Sequence, residues 1–206
     1  MLRRAVFLDR DGVICREVDY MRDSRQLQLI PGAADAIRLF NQSGLAAVVV
    51  TNQSGVARGF FDEETVAALN RVMRERLEER GAQLDAVYYC PHHPDGVVEK
   101  YSIACDCRKP ATGLLRQAAD ECILDLKRSY LVGDKLSDIE CAGGAGVKGI
   151  LVLTGYGAEE SKRIDRTPGV HPAFIAADLR EAAGWILNDL RSSNHEDIDR
   201  QAERDR

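Results

Sequence analysis

Two aspartates, Asp9 and Asp11, stand either side of Arg10, after the apolar run Ala5-Val6-Phe7-Leu8 and before Gly12. The run reads as a buried strand, and Gly12 as the turn that ends it. Acids at the carboxyl end of such a strand lie where open α/β sheets keep their reactive groups. Residues i and i+2 of an extended chain point to one side. Both carboxylates can therefore converge on one substrate or one divalent cation. A solvated Asp-Arg-Asp-Gly turn is the plain alternative.

Three more sets carry compatible chemistry. Thr51-Asn52-Gln53-Ser54-Gly55-Val56-Ala57-Arg58-Gly59 follows the apolar run Val48-Val49-Val50. Its hydroxyl, its backbone N–H groups and Arg58 make an anion cradle, or else a polar turn before a helix. Arg108 and Lys109 are adjacent cations, one able to grip phosphate oxygens bidentately and the other a point charge. Val132-Gly133-Asp134-Lys135-Leu136-Ser137-Asp138 again puts acids after an apolar run, here Tyr130-Leu131-Val132. Asp134 can complete a hard-cation site with oxygens of the first motif. Asp138 falls in the first turn of the next helix, where it serves the helix N-terminus or ligates directly.

Cys90-Pro91-His92 and Cys105-Asp106-Cys107 supply one imidazole and three thiolates, a tetrahedral zinc set. His93 is an alternative to His92. Four protein ligands leave no open position, so Zn²⁺ here organises loop 90–107 and fixes where Arg108 and Lys109 point. Cys15, Cys122 and Cys141 are isolated and read as small buried residues.

The elements needed to position these sets are legible. Strands are expected over Val6 to Asp9, Ala46 to Thr51, Ala86 to Cys90, Ser129 to Asp134 and Gly149 to Leu153, continuous apolar runs suited to burial on both faces. Helical spacing covers Gly32 to Gln42, Asp62 to Arg80, Thr112 to Asp120, Ser137 to Ala145 and Leu179 to Leu190. Asp62 can cap the second helix and Gly81 can end it. Alternating strands and helices imply a doubly wound parallel α/β sheet. One domain over 1–191 accommodates all of it, followed by a charged tail, 192–206, expected to be disordered. The chain has 206 residues, 45% hydrophobic, and a net charge of -5 that gives no footprint for nucleic acid. No apolar stretch approaches the ~20 residues of a membrane span, and no secretory leader is apparent. The expected setting is the cytoplasm, where a disulfide framework is disfavoured.

In this order the motifs resemble the haloacid-dehalogenase-like phosphohydrolases over nearly the whole chain. The resemblance rests on Asp9-Arg10-Asp11-Gly12, Thr51-Asn52-Gln53, Lys109, and Gly133-Asp134 with Asp138. It implies Asp9 as nucleophile forming an aspartyl-phosphate, and Asp11 as general acid and then base. It implies Thr51 and Lys109 as phosphoryl ligands. Mg²⁺ would be held by Asp9, the backbone carbonyl of Asp11, and Asp134.

The cysteine loop narrows the likeness to the family of D-glycero-D-manno-heptose 1,7-bisphosphate and histidinol-phosphate phosphatases. That likeness implies action on a small phosphorylated sugar, with heptose 1-phosphate as product for cell-surface glycans such as lipopolysaccharide; histidinol phosphate is the alternative substrate, and a monomer is expected. Glu17, Asp19, Tyr20, Asn52, Gln53, Ser54, Arg58, Arg108 and Lys135 are then substrate contacts beside Thr51 and Lys109. The intervals between motifs are too short for a large cap domain, so an open cleft is expected. Outside the enzymes, the rival is a zinc-stabilised binding module, which the acidic charge disfavours.

Overall fold

Ala5, Val6, Phe7 and Leu8 have no exposed surface and alternate between two cores, as the two-residue period of a strand requires. They form β1 (Ala5–Leu8) in a computed structural model that describes the backbone of residues 2–204 and the side chains of residues 2–192. β2 (Ala46–Asn52), β3 (Ala86–Cys90), β4 (Tyr130–Gly133), β5 (Lys148–Val152) and β6 (Phe174–Ala176) follow. Among the described residues these six strands make one sheet in the order β3-β2-β1-β4-β5-β6, and all neighbours are parallel.

Helices cover both faces. α1 (Ala33–Gln42), α2 (Glu63–Glu78) and α6 (Leu179–Arg204) pack on the side of Val6 and Leu8, contributing Ile37, Phe40, Met73 and Ile186 among others. α3 (Gly113–Cys122) and α4 (Leu136–Ala145) cover the side of Ala5 and Phe7 through Leu115, Ala118 and Ala142. α5 (Gly157–Ser161) is a short turn after β5. The chain winds from β1 outward to β2 and β3, then returns to β4 beside β1. That reversal opens a crevice beyond the carboxyl ends of β1 and β4, the place where such sheets bind ligands.

Most expected boundaries hold to within a residue or two. Asp62 caps α2, its carboxylate accepting the Thr65 N–H at 2.8 Å. Three expectations need correction. β6 and α5 were not foreseen, being only three and five residues long. The last helix continues past Leu190 to Arg204 because the sequence beyond Gly184 holds neither Pro nor Gly to stop it. The side chains of 193–206, on which the expectation of a disordered tail falls, lie outside the described residues. Cys15 and Cys141 are buried, but Cys122, at the end of α3, is only half-buried, with its Sγ 3.5 Å from the Tyr88 hydroxyl. Among the described residues no helix is long and apolar enough to cross a membrane.

Candidate active site

The carboxyl ends of β1 and β2 deliver Asp9 and Thr51 to one cleft of about 480 Å³, and the end of β4 sets the fully buried Asp134 beside Asp9. The Asp9 N–H donates to the Val132 carbonyl at 3.0 Å, extending the β1–β4 ladder and fixing the carboxylate at the crevice floor. Carboxylate oxygens of Asp9, Asp134 and Asp138 lie within 4.8 Å of one another, all on buried residues.

Lys109 is the cation among them. Its ammonium, 2% exposed, lies 3.1 Å from Asp9 Oδ1 and 2.6 Å from Asp138 Oδ1, and donates to the Val50 carbonyl at 2.8 Å. The first two contacts are ion pairs and the third a hydrogen bond. Burial alone would lower the Lys109 pKa; Asp138 and then Asp9 outweigh it and hold the ammonium charged. Burial likewise pushes the Asp9 carboxyl up, but the charges of Lys109 and Lys135, with hydrogen bonds from Lys109 and Thr51, bring it below the usual carboxylate value. Asp9 is therefore an anion at neutral pH.

Asp134 is different. Burial first, and the Asp9 charge second, push its carboxyl up to about 8. Oδ2 accepts the Tyr156 N–H at 2.9 Å, whereas the buried Oδ1 has no hydrogen-bond partner. A buried carboxylate oxygen left unpaired costs free energy, on the order of 1–3 kcal/mol. The backbone closes tightly around this residue. A Cβ on Gly12 (φ 83°) would lie 2.1 Å from Asp134 Oδ2, and one on Gly155 (φ 57°) 2.2 Å from the same atom. The Thr154 hydroxyl ties the two loops by donating to the Gly12 carbonyl at 2.5 Å. An orphaned buried oxygen beside a second acid, with hard oxygen donors throughout, fits Mg²⁺ or a similar cation.

Asp138 takes the first of its two expected roles and adds an ion pair. Its Oδ2 accepts the Lys135 N–H at 3.1 Å, serving the start of α4, while Oδ1 engages Lys109. Asp11 lines the same cleft, but its carboxylate does not join the three-acid cluster. Arg10 grips it through Nε to Oδ1 at 3.1 Å and Nη2 to Oδ2 at 2.8 Å, and Gln53 Nε2 donates to Oδ2 at 2.9 Å.

Two residues assigned to the cradle from sequence line the cleft and also hold its frame. Asn52 clamps the Lys109 backbone, donating to its carbonyl at 3.0 Å and accepting its N–H at 3.0 Å. Gln53 spends its amide on Arg10, Asp11 and Thr51. Ser54, Arg58, Arg108 and Lys135 line the cleft too. Glu17, Asp19 and Tyr20 form one wall, with Glu17 Oε2 3.8 Å from Lys135 and Asp19 accepting the Tyr156 hydroxyl at 2.7 Å. The Tyr20 ring meets Phe60 edge-on at 4.7 Å, bridging two loops across the mouth.

Behind Lys109 lies the cysteine cluster. Cys90, Cys105 and Cys107 Sγ atoms are 3.1–3.5 Å apart, and His92 Nδ1 lies 3.3 Å from Cys107 Sγ. These edges approach the roughly 3.8 Å expected around Zn²⁺ at Zn–S ≈ 2.3 Å. The choice between histidines is decided by position. His92 joins the thiols, and His93 turns into the cleft, its Nε2 3.1 Å from Arg58 Nη2. Burial, then the charges of Arg108 and Arg58, hold His93 below its usual pKa.

Comparison with known proteins agrees with this geometry. A profile described as HAD-hydrolase-like matches residues 106–182. The D-glycero-beta-D-manno-heptose-1,7-bisphosphate 7-phosphatase of Escherichia coli K12 is 42% identical over 186 residues, 90% of this chain and 89% of its own. The D-glycero-D-manno-heptose-1,7-bisphosphate 7-phosphatase of Thermosynechococcus vestitus is 45% identical over 194 residues, covering 92% and 98% of the two chains. The chain belongs to the heptose-1,7-bisphosphate 7-phosphatase family. A crystal structure of the D,D-heptose 1,7-bisphosphate phosphatase of B. bronchiseptica with magnesium and phosphate superposes with a TM-score of 0.80 at 34% identity, over 90% of this chain and 99% of that one.

In this member of the heptose-bisphosphate phosphatase family, the site also contains residues that the sequence reading missed. Arg10, given no role from sequence, is 1% exposed and central to the polar network. Thr154, Gly155 and Tyr156 carry no motif; they reach Gly12 and Asp134 only through the β4–β5 pairing.

Proposed function

We propose that this chain removes the 7-phosphate of D-glycero-D-manno-heptose 1,7-bisphosphate through an aspartyl-phosphate on Asp9. The observation that carries the reading is an ionised Asp9 pressed against Lys109, beside the unpaired oxygen of Asp134 at the floor of an open cleft. An Asp9 oxygen attacks phosphorus as the ester P–O bond breaks, and Asp11 gives its proton to the leaving oxygen. Water then attacks the phosphorus of the acyl phosphate, its proton passes to Asp11, and Asp9 is released with inorganic phosphate. Lys109 turns an N–H from a carboxylate to a phosphoryl oxygen, and the Thr51 hydroxyl adds a second donor. Mg²⁺, when bound by Asp9, the Asp11 carbonyl and Asp134, neutralises charge on the transferring group. Zn²⁺ on Cys90, His92, Cys105 and Cys107 has no open position and holds the segment that presents Arg108 and Lys109.

Arg58, Arg108 and the neighbouring His93 favour a substrate with a second anionic group at the zinc-loop side of the cleft. A bisphosphate offers one; histidinol phosphate offers an amine cation. Lys135, Glu17, Asp19 and Tyr20 supply the sugar-facing wall. In this reading the protein works as a cytoplasmic monomer on a small metabolite. The test is kcat/KM with Mg²⁺ on the heptose bisphosphate and on histidinol phosphate, with the remaining phosphate located by NMR. Preferred turnover of the bisphosphate to heptose 1-phosphate is expected. Preference for histidinol phosphate, or loss of the 1-phosphate, overturns the assignment.

A further inference from the structure

A cationic side chain sits between the two reacting acids, wholly out of water, and the chemistry above gives it no task. Arg10 is 1% exposed, and four of its N–H groups are engaged. Nε and Nη2 fork onto the two oxygens of Asp11, Nη2 also donates to Gln53 Oε1 at 2.8 Å, and Nη1 donates to Asn70 Oδ1 on α2 at 3.1 Å. Gln53 closes the ring by donating to Asp11 Oδ2 at 2.9 Å and to the Thr51 hydroxyl at 3.1 Å. Asp11 Oδ2 thus receives two hydrogen bonds and Oδ1 one. A carboxylate offers about four lone-pair positions, two on each oxygen. The position left over is on Oδ1, on a side chain that is 18% exposed and lines the cleft.

We propose that Arg10 is a positioning residue for the reaction: with Gln53 it orients the Asp11 carboxyl so that Oδ1 alone exchanges a proton with the cleft. The inference rests on the phosphatase reading, with Asp11 as general acid and base. The clamp suits both protonation states. A proton on Oδ1 leaves the Arg10 Nε bond, the Arg10 Nη2 bond and the Gln53 bond in place, so Asp11 can give its proton to the leaving oxygen and take one from water without moving. Only a planar fork anchored at its far end does this; a lysine at position 10 would bring a point charge without the orientation.

A purely structural role predicts something different. Arg10 also bridges the β1 loop to α2, so its loss would lower the melting temperature and the amount of active enzyme. The discriminating readout is therefore a ratio from which enzyme amount cancels: kcat/KM for the heptose bisphosphate, whose alkoxide must be protonated, over kcat/KM for 4-nitrophenyl phosphate, whose phenolate leaves without a proton. Asp11→Asn is expected to lower that ratio by about 10²-fold, in keeping with the loss of a general acid. Arg10→Met and Arg10→Lys are each expected to lower it by about tenfold or more. In Arg10→Met/Asp11→Asn the ratio should fall no further than in Asp11→Asn alone, because both changes act through one group. An unchanged ratio in Arg10→Met, or full additivity in the double variant, overturns the proposal. An unchanged ratio in Asp11→Asn instead overturns the acid role of Asp11 itself, so the two failures are distinguishable.

Discussion

Two clusters that fit metals face each other across Lys109, and they are opposites. Around Cys90, His92, Cys105 and Cys107 the protein offers four donors, as many as a tetrahedral ion takes. Around Asp9 and Asp134 the protein supplies hard oxygens and leaves one of them, Asp134 Oδ1, unpaired in the interior. The first arrangement is saturated and has nothing to offer a substrate. The second is incomplete by construction, and its unsatisfied charge is what a cation and a phosphoryl group complete. Saturation therefore separates the scaffold from the reactive centre more sharply than burial does, since both lie largely inside the molecule.

The sharpest attack on this contrast is Asp9→Asn. Turnover should fall by about 10⁴-fold or more, as for loss of a covalent nucleophile. The melting temperature should fall, because the neutral amide gives up the ion pair with Lys109 that holds the Asp9 carboxyl below its usual pKa. Residual kcat above about 1% would remove the covalent role. Next comes depletion of the open site. Desalting into Mg²⁺-free buffer should cost about 10²-fold in activity, restored on adding Mg²⁺, while zinc measured by mass spectrometry stays near one per chain. Loss of both metals together would erase the distinction.

Cys107→Ala attacks the saturated side. Zinc content should fall, and a stability loss of about 3 kcal/mol would lower the melting temperature by roughly 6–12 °C. Activity should fall with it, because Arg108 and Lys109 follow directly; an unchanged zinc content and melting temperature would sink the structural-zinc assignment. The smallest effect is a slope in pH. Asp134 binds its proton more tightly folded than unfolded, its carboxyl rising from 3.8 to about 8 through burial and the Asp9 charge. Its stabilising share is therefore complete below about pH 4 and is lost as pH climbs toward 8. Asp9, held low, keeps its own share throughout that range. Without Mg²⁺ the melting temperature should decline between pH 5 and 8; saturating Mg²⁺ should flatten the decline.

What could be read in advance followed from local periodicity. Val48-Val49-Val50 and Tyr130-Leu131-Val132 announce strands buried on both faces, and the polar residues straight after them fall at the crevice without any tertiary knowledge. The cysteine spacing exposed its cluster for the same reason, with only the two adjacent histidines to be separated by geometry. Arg10 was illegible because its meaning depends on Asn70, sixty positions away on α2. Asn52 reads as a phosphate contact, since an amide after a strand offers donors; in the fold it lines the cleft and one donor also meets the Lys109 carbonyl, a tie no local pattern announces. β6 holds three residues, too few for any period to register.

Gly12 and Gly155 meet over Asp134 from loops far apart in sequence. Inheritance must treat them as a single locus: a missense codon at either one thrusts a methyl group onto the same carboxylate. Either change would cost stability as well as activity, and neither could be rescued by drift at the other.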